Sequence, residues 1–165
     1  MPTILRSHVA GRWVGETPDA PLSSAVTGDV VAHVPRERPD FGEAVAYARG
    51  TGVRGLLAMD FQQRAAVLRA LAKRLGERKE ALYAVSAWTG ATRGDGWIDI
   101  EGGLGTLVAY AGVGAADLPS GNLVHEGPAM PLGRKGAFAG THVLVPRRGV
   151  AVHVNAFNFP VWGLL

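Results

Sequence analysis

The feature that most constrains this chain is the stretch from Gly149 to Leu164. Val150 to Val154 is a short β-branched run behind the Arg147-Arg148-Gly149 turn, with the composition of a strand buried in a parallel sheet. Asn155 to Asn158 forms a polar loop, and Pro160 suits the first turn of a helix, where its missing N–H costs nothing. Strand, loop and helix start together predict a βα unit whose loop faces a ligand at the carboxyl end of the strand. A parallel strand is reached through a crossover of about a dozen residues or more, whereas only Val161 to Leu165 follow Pro160. The sequence is therefore expected to be an amino-terminal part of a larger fold that covers its apolar last residues.

Three zones are expected upstream. From His8 to Val34, Trp13, Val14, Val26, Val30 and Val31 stand around the turn signals Gly15 to Pro18 and Thr27-Gly28-Asp29, which predicts short antiparallel strands. From about Asp40 to Leu118 the pattern becomes helical. Asp40 with Glu43 and Asp60 with Gln63 have capping-box spacing, and Phe61, Ala65, Leu68, Leu71 and Leu75 recur at helical intervals. Lys79 to Trp88 predicts a further helix stopped by Gly90. Trp97 to Ala116 predicts another, with Ile98, Leu104, Leu107, Val108 and Ala111 on one face. Gly102, Gly103 and Gly105 each lower helix propensity there by up to about 1 kcal/mol relative to Ala, so they are expected to serve close packing. From Pro119 onward glycines and prolines punctuate loops around a strand at Thr141 to Val145.

Few residues carry chemistry on their own. Gly102 to Thr106 invites a phosphate-loop reading, but a dinucleotide fingerprint needs a third glycine where Val108 stands. His8, His33, His125, His142 and His153 have no metal-binding spacing. His153, between Val152 and Val154, is expected to be a packed core histidine. Asp95, Asp99 and Glu101 are expected to cap a helix start and to occupy a solvated face. Asn158 by composition alone is a turn former.

Composition narrows the classes further. The chain has 165 residues, of which 47% are hydrophobic, enough for one ordinary core. No run has membrane-spanning length and no signal peptide is evident, so a cytoplasmic protein with no membrane partner is expected. The net charge of +3 is scattered, unlike a nucleic-acid footprint. There are no cysteines, hence no disulfide, thiolate metal site or cysteine nucleophile within these residues.

Asn158-Phe159-Pro160 behind its Gly149-Val150 lead-in resembles the Pro-Trp-Asn-Phe-Pro segment of the aldehyde dehydrogenase superfamily, with Ala156 and Phe157 replacing the Pro and Trp. That departure, with the segment from Ser86 to Leu107, is similar to the semialdehyde dehydrogenases of aerobic phenylacetyl-CoA and benzoyl-CoA ring degradation. In the phenylacetate branch the dehydrogenase is fused to a carboxy-terminal hydratase-like domain. The resemblance runs over essentially the whole chain. It implies an α/β fold, the amino-terminal part of a Rossmann-like cofactor domain with helices and short oligomerisation-arm strands. Its zones would be 1–38 (strands), 39–118 (helical), 119–148 (loops and arm strands) and 149–165 (the first Rossmann βα start).

The implied activity is NAD- or NADP-dependent oxidation of a small-molecule aldehyde, a CoA-linked semialdehyde, to the acid, by a homo-oligomer. Asn158 would be the oxyanion-hole donor, and Val154, Asn155, Ala156 and Phe157 would lie along the cofactor. The cysteine nucleophile and glutamate base would come from downstream, and no metal is implied. A reading from another class is a non-catalytic module that docks on full-length subunits through its strands.

Overall fold

The computed structural model describes residues 3–165, so the first two residues of the 1–38 zone lie outside the described residues. Five short strands come first: β1 (Thr3–Ile4), β2 (Ser7–Val9), β3 (Arg12–Val14), β4 (Pro18–Ser23) and β5 (Val30–Pro35). β2 and β3 form a hairpin with His8 opposite Trp13. Its turn residues Ala10 and Gly11 both have positive φ, the backbone twist that two-residue hairpins favour. β4 pairs antiparallel with β5, while β1 joins β5 in parallel. The antiparallel strands expected from His8 to Val34 thus form, and β1, upstream of that stretch, adds a parallel neighbour that residues 5–29 separate from β5, so hairpin geometry does not bind it.

The helical zone comprises α1 (Phe41–Tyr47), a π-turn over Ala48–Gly52, α2 (Val53–Leu57), α3 (Phe61–Gly76), α4 (Lys79–Trp88) and α5 (Arg93–Ala116). Asp60 and Gln63 form the full capping box, at 2.7 and 2.9 Å. Asp40 makes only half of one: its carboxylate accepts from the Glu43 N–H at 3.0 Å, and the Glu43 side chain turns instead to Arg12. α5 begins four residues before the expected Trp97. Thr92 and Asp95 exchange side-chain and backbone hydrogen bonds at 3.1 and 3.2 Å, a capping box that fixes the start despite Gly94 and Gly96.

α5 is the axis of the packing. Gly96, Asp99, Ile100, Gly103, Leu104, Leu107, Ala111 and Gly114 make its buried face, a spacing of three and four residues. Ile98 and Val108, expected on that face, are 42% and 51% exposed. At about 100° per residue, Val108 is turned about 100° from Leu107 and Ile98 about 200° from Ile100, which takes both off the Ile100–Leu104–Leu107–Ala111 line. Three glycines bring three neighbours close. A Cβ at Gly114 would stand 3.1 Å from the Cβ of Ala65 in α3; at Gly96, 3.2 Å from the Tyr83 ring in α4; at Gly103, 3.1 Å from the Trp162 Cα. The close packing expected at Gly102, Gly103 and Gly105 is therefore met at Gly103 and, against the Trp162 ring at 3.4 Å, at Gly102, whereas Gly105 has open space where a Cβ would stand. Tyr83, Ile100 and Leu104 form the core cluster, joined by Leu75, Leu82, Val161 and Leu165.

The third zone holds an exposed hairpin, β6 (Val124–Pro131) with β7 (Ala139–Leu144). β7 matches the expected strand closely, and β6 adds a partner that Gly127, Pro128 and Pro131 disguise as loop in the sequence. α6 (Pro160–Leu164) opens at the proline as expected. The expected strand at Val150 to Val154 is not formed: these residues are irregular and exposed. A strand exists only by hydrogen bonding to a neighbour, and among the described residues none lies alongside. His153 is exposed for the same reason, not packed in a core.

Candidate functional site

Asn158 and Phe157 line a cleft of about 260 Å³ together with Thr89, Gly90, Ala91, Asp95 and Phe159. Two turns meet there. One is the α4–α5 connection, where α4 ends and Gly90 takes φ +89°, a conformation that suits glycine. The other is the loop entering α6. Asp95 contributes from the first turn of α5. Its carboxyl is held below the usual range chiefly by the Thr92 hydroxyl, then by the Thr92 backbone N–H, so it stands in the cleft as an anion at neutral pH. The expected capping role of Asp95 is met, and its position beside Asn158 is additional.

The other expected site residues are placed differently. Val154 and Phe157 are 92% and 88% exposed, and Ala156 is exposed. Asn155 is half-buried, 3.6 Å from where a Gly163 Cβ would stand. Phe157 and Asn158 therefore share the cleft, whereas Val154, Asn155 and Ala156 form the strip leading to it.

The start of α6 has an unusual support. Its N-cap residue, Phe159, has no side-chain acceptor, and Pro160 has no N–H. The free donors of Val161 and Trp162 turn to Asp99 of α5. Oδ1 accepts from the Val161 N–H at 3.1 Å and the Trp162 N–H at 2.8 Å, and Oδ2 lies 3.3 Å from the Val161 nitrogen. Asp99 is only 3% exposed. The solvated face expected for it is overturned, because burial of a carboxylate requires such donors. Composition offered one signal for this: a helix opening Phe-Pro has no local cap and needs an acceptor from elsewhere. Glu101, by contrast, is half-buried, pairing with Lys79 at 2.9 Å.

A second cleft, lined by Arg49, Arg54, Arg148 and Gly149, lies at the other end of the Val150–Asn158 strip. Among the described residues no group of three or more His, Asp or Glu side chains is arranged to hold a metal ion, and no helix is long and apolar enough to cross a membrane.

Residues 13–164 match the sequence profile described as the aldehyde dehydrogenase family. The chain is 38% identical, over 162 residues, to 3,4-dehydroadipyl-CoA semialdehyde dehydrogenase from Aromatoleum evansii. That match covers 97% of this chain and 31% of the relative. Among solved structures, it resembles a betaine aldehyde dehydrogenase point mutant from Staphylococcus aureus in complex with NAD+, with a TM-score of 0.62 and 20% identity. The likeness covers 76% of this chain and 26% of that one. The chain thus spans about a third or less of the length of the relatives it matches.

Proposed function

The chain belongs to the aldehyde dehydrogenase family, and on that premise we propose that it contributes one wall of the active site of an NAD- or NADP-dependent enzyme oxidising a CoA-linked semialdehyde to the acid in aromatic degradation. The substrate class rests on the 38% identity to a CoA-semialdehyde dehydrogenase. The dinucleotide rests on family membership and on the NAD+ complex of the structural neighbour. The observation that carries the site is the shared cleft of Phe157 and Asn158 at the entrance to α6. On this reading residues 1–165 are part of the cofactor-binding domain, and the exposed β6–β7 hairpin belongs to the arm of a homo-oligomer.

The residues present suit one side of a dinucleotide. Val154 and Phe157 stand free, offering an apolar edge and an aromatic face. Asn155, between them, has its side chain beside Gly163 of α6. A bound nicotinamide supplies the hydride acceptor for aldehyde oxidation. Asn158 supplies a neutral N–H donor beside the aldehyde carbon, where an oxyanion develops when a thiolate adds. Such a donor is most effective when its direction is fixed beforehand, because no reorganisation is then needed as charge appears. A cysteine thiolate is not among these 165 residues, so on this reading the nucleophile comes from elsewhere in the complete polypeptide, and the base that activates water is assigned there with it.

Asn158→Ala in the complete polypeptide is expected to lower kcat by roughly 10²–10³-fold, the usual cost of one oxyanion donor, with little change in dinucleotide affinity. An unchanged kcat would remove Asn158 from the mechanism. The substrate assignment is checked by comparing kcat/KM for a CoA-linked semialdehyde with that for the free semialdehyde acid. Equal values would refute it.

A further inference from the structure

We propose that Asp99 is a positioning residue for the aldehyde oxidation, holding the turn that carries Asn158 by capping α6 from α5. The inference rests on the reading of Asn158 as the oxyanion donor and adds the residue that aims it. The first turn of a helix leaves backbone N–H groups without partners, and a local side chain usually takes them. Here the local side chains are Asn158, which lines the cleft, and Phe159, which cannot accept. Both free donors go to one buried carboxylate 62 and 63 residues upstream.

The geometry makes this support specific to the cleft. Val161 lies three residues beyond Asn158, and Pro160 fixes one backbone angle between them. Anchoring Val161 and Trp162 therefore restricts where Asn158 can stand. Asp95 and Asp99 are one helical turn apart on α5. The first lines the cleft with Asn158 and the second holds the backbone that follows Phe159, so one helix both lines the cleft and anchors the turn beside it. Gly103, a further turn along, lets the Trp162 backbone approach. Every hydrogen bond recorded for the Asp99 carboxylate goes to this turn, so its loss acts there first.

The test uses the complete polypeptide and four variants: Asp99→Ala, Asp99→Asn, Asn158→Ala and the double Asp99→Ala/Asn158→Ala. Turnover is expressed per dinucleotide-binding site, counted by calorimetry, so that loss of folded protein does not register as loss of kcat. Asp99→Ala is expected to lower kcat about 10-fold or more, since a misplacement of about 1 Å can cost about 10²-fold, with KM for the dinucleotide unchanged. Asp99→Asn keeps a carbonyl oxygen where Oδ1 stands and is expected to restore most of the turnover. The double variant is expected to be no slower than Asn158→Ala alone, because two changes acting through one donor do not add.

If Asp99→Ala keeps full turnover per site while Asn158→Ala is slow, the positioning role is overturned and Asn158 stands. If Asn158→Ala itself keeps full turnover, the underlying reading falls and the positioning role with it. Should Asp99→Ala not fold, Gly103→Ala decides, since its methyl would meet Trp162 backbone atoms at 3.1–3.3 Å and shift the same turn. A folded Gly103→Ala with unchanged kcat overturns the proposal.

Discussion

Gly103 and Gly105 are two residues apart in the same helix, yet alanine at the two positions should act on stability with opposite sign. Each replacement gains about 1 kcal/mol of helix propensity. At Gly105 that gain is unopposed, because an added Cβ meets nothing within 4 Å. At Gly103 the Cβ would lie 3.1 Å from the Trp162 Cα and 3.3 Å from the Trp162 N and the Val161 O. These are backbone atoms that cannot swing aside, and overpacking of this kind costs about 1–3 kcal/mol. The net expectation is a gain of about 1 kcal/mol for Gly105→Ala and a change between about zero and a 2 kcal/mol loss for Gly103→Ala. The difference between the variants isolates the steric cost. Urea denaturation of the complete polypeptide, with the slope checked for constancy, measures it. If both substitutions raise the midpoint by the same amount, the close approach of α6 to α5 is wrong, and the account of Asp99 loses its geometry.

Other expectations are independent of that contact. Ile100 is fully buried, and Ile100→Ala should destabilise by about 2–5 kcal/mol in the same assay; less than 1 would place it outside the core. Glu37 accepts the Thr17 hydroxyl and the backbone N–H groups of Thr17 and Glu16, which together lower its pKa from 4.5 to about 2. A lowered carboxyl pKa contributes stability above the unfolded value and loses it as pH falls through the folded one. Glu37→Gln should therefore lower the thermal midpoint at pH 7 and lower it much less near pH 2, where the carboxyl begins to protonate in the folded state; equal shifts at both would refute the linkage. Arg93 pairs with Glu80 at the surface, at 3.0 and 3.1 Å. Any destabilisation by Glu80→Gln should shrink in high salt, and a salt-independent effect would point to packing instead.

Local signals were legible in the sequence where they were complete within a few residues. Lys79 to Trp88 is helical to the residue, because Gly90 marks its stop, and the Asp60–Gln63 box opens α3 as its spacing requires. The start of α5 is obscured in the sequence because Gly94 and Gly96 weaken the helical pattern there, while the decisive Thr92–Asp95 pair lies outside the apolar repeat. The burial of Asp99 is hidden in the sequence because a carboxylate inside a helix carries no mark of the distant N–H groups that donate to it. Val150 to Val154 carried the composition of a strand but lacks a partner among the described residues. For the candidate site, the motif points to Val154, Asn155, Ala156, Phe157 and Asn158, of which Phe157 and Asn158 line one cleft. The contribution of Thr89, Gly90, Ala91 and Asp95 arises from tertiary packing and leaves no trace in local spacing.

The Asp99 contact also bears on the order in which the protein can be assembled. Chains emerge from the ribosome amino-terminus first, and early segments begin to fold while later ones are still being made. The acceptor for the α6 turn, the glycine that admits its backbone, and the Tyr83, Ile100 and Leu104 surface against which Val161 and Leu165 pack all precede that turn. Among the described residues, these contacts of α6 thus come from partners already synthesised. The turn that carries Asn158 can therefore take its shape against α5, whose residues are made before it.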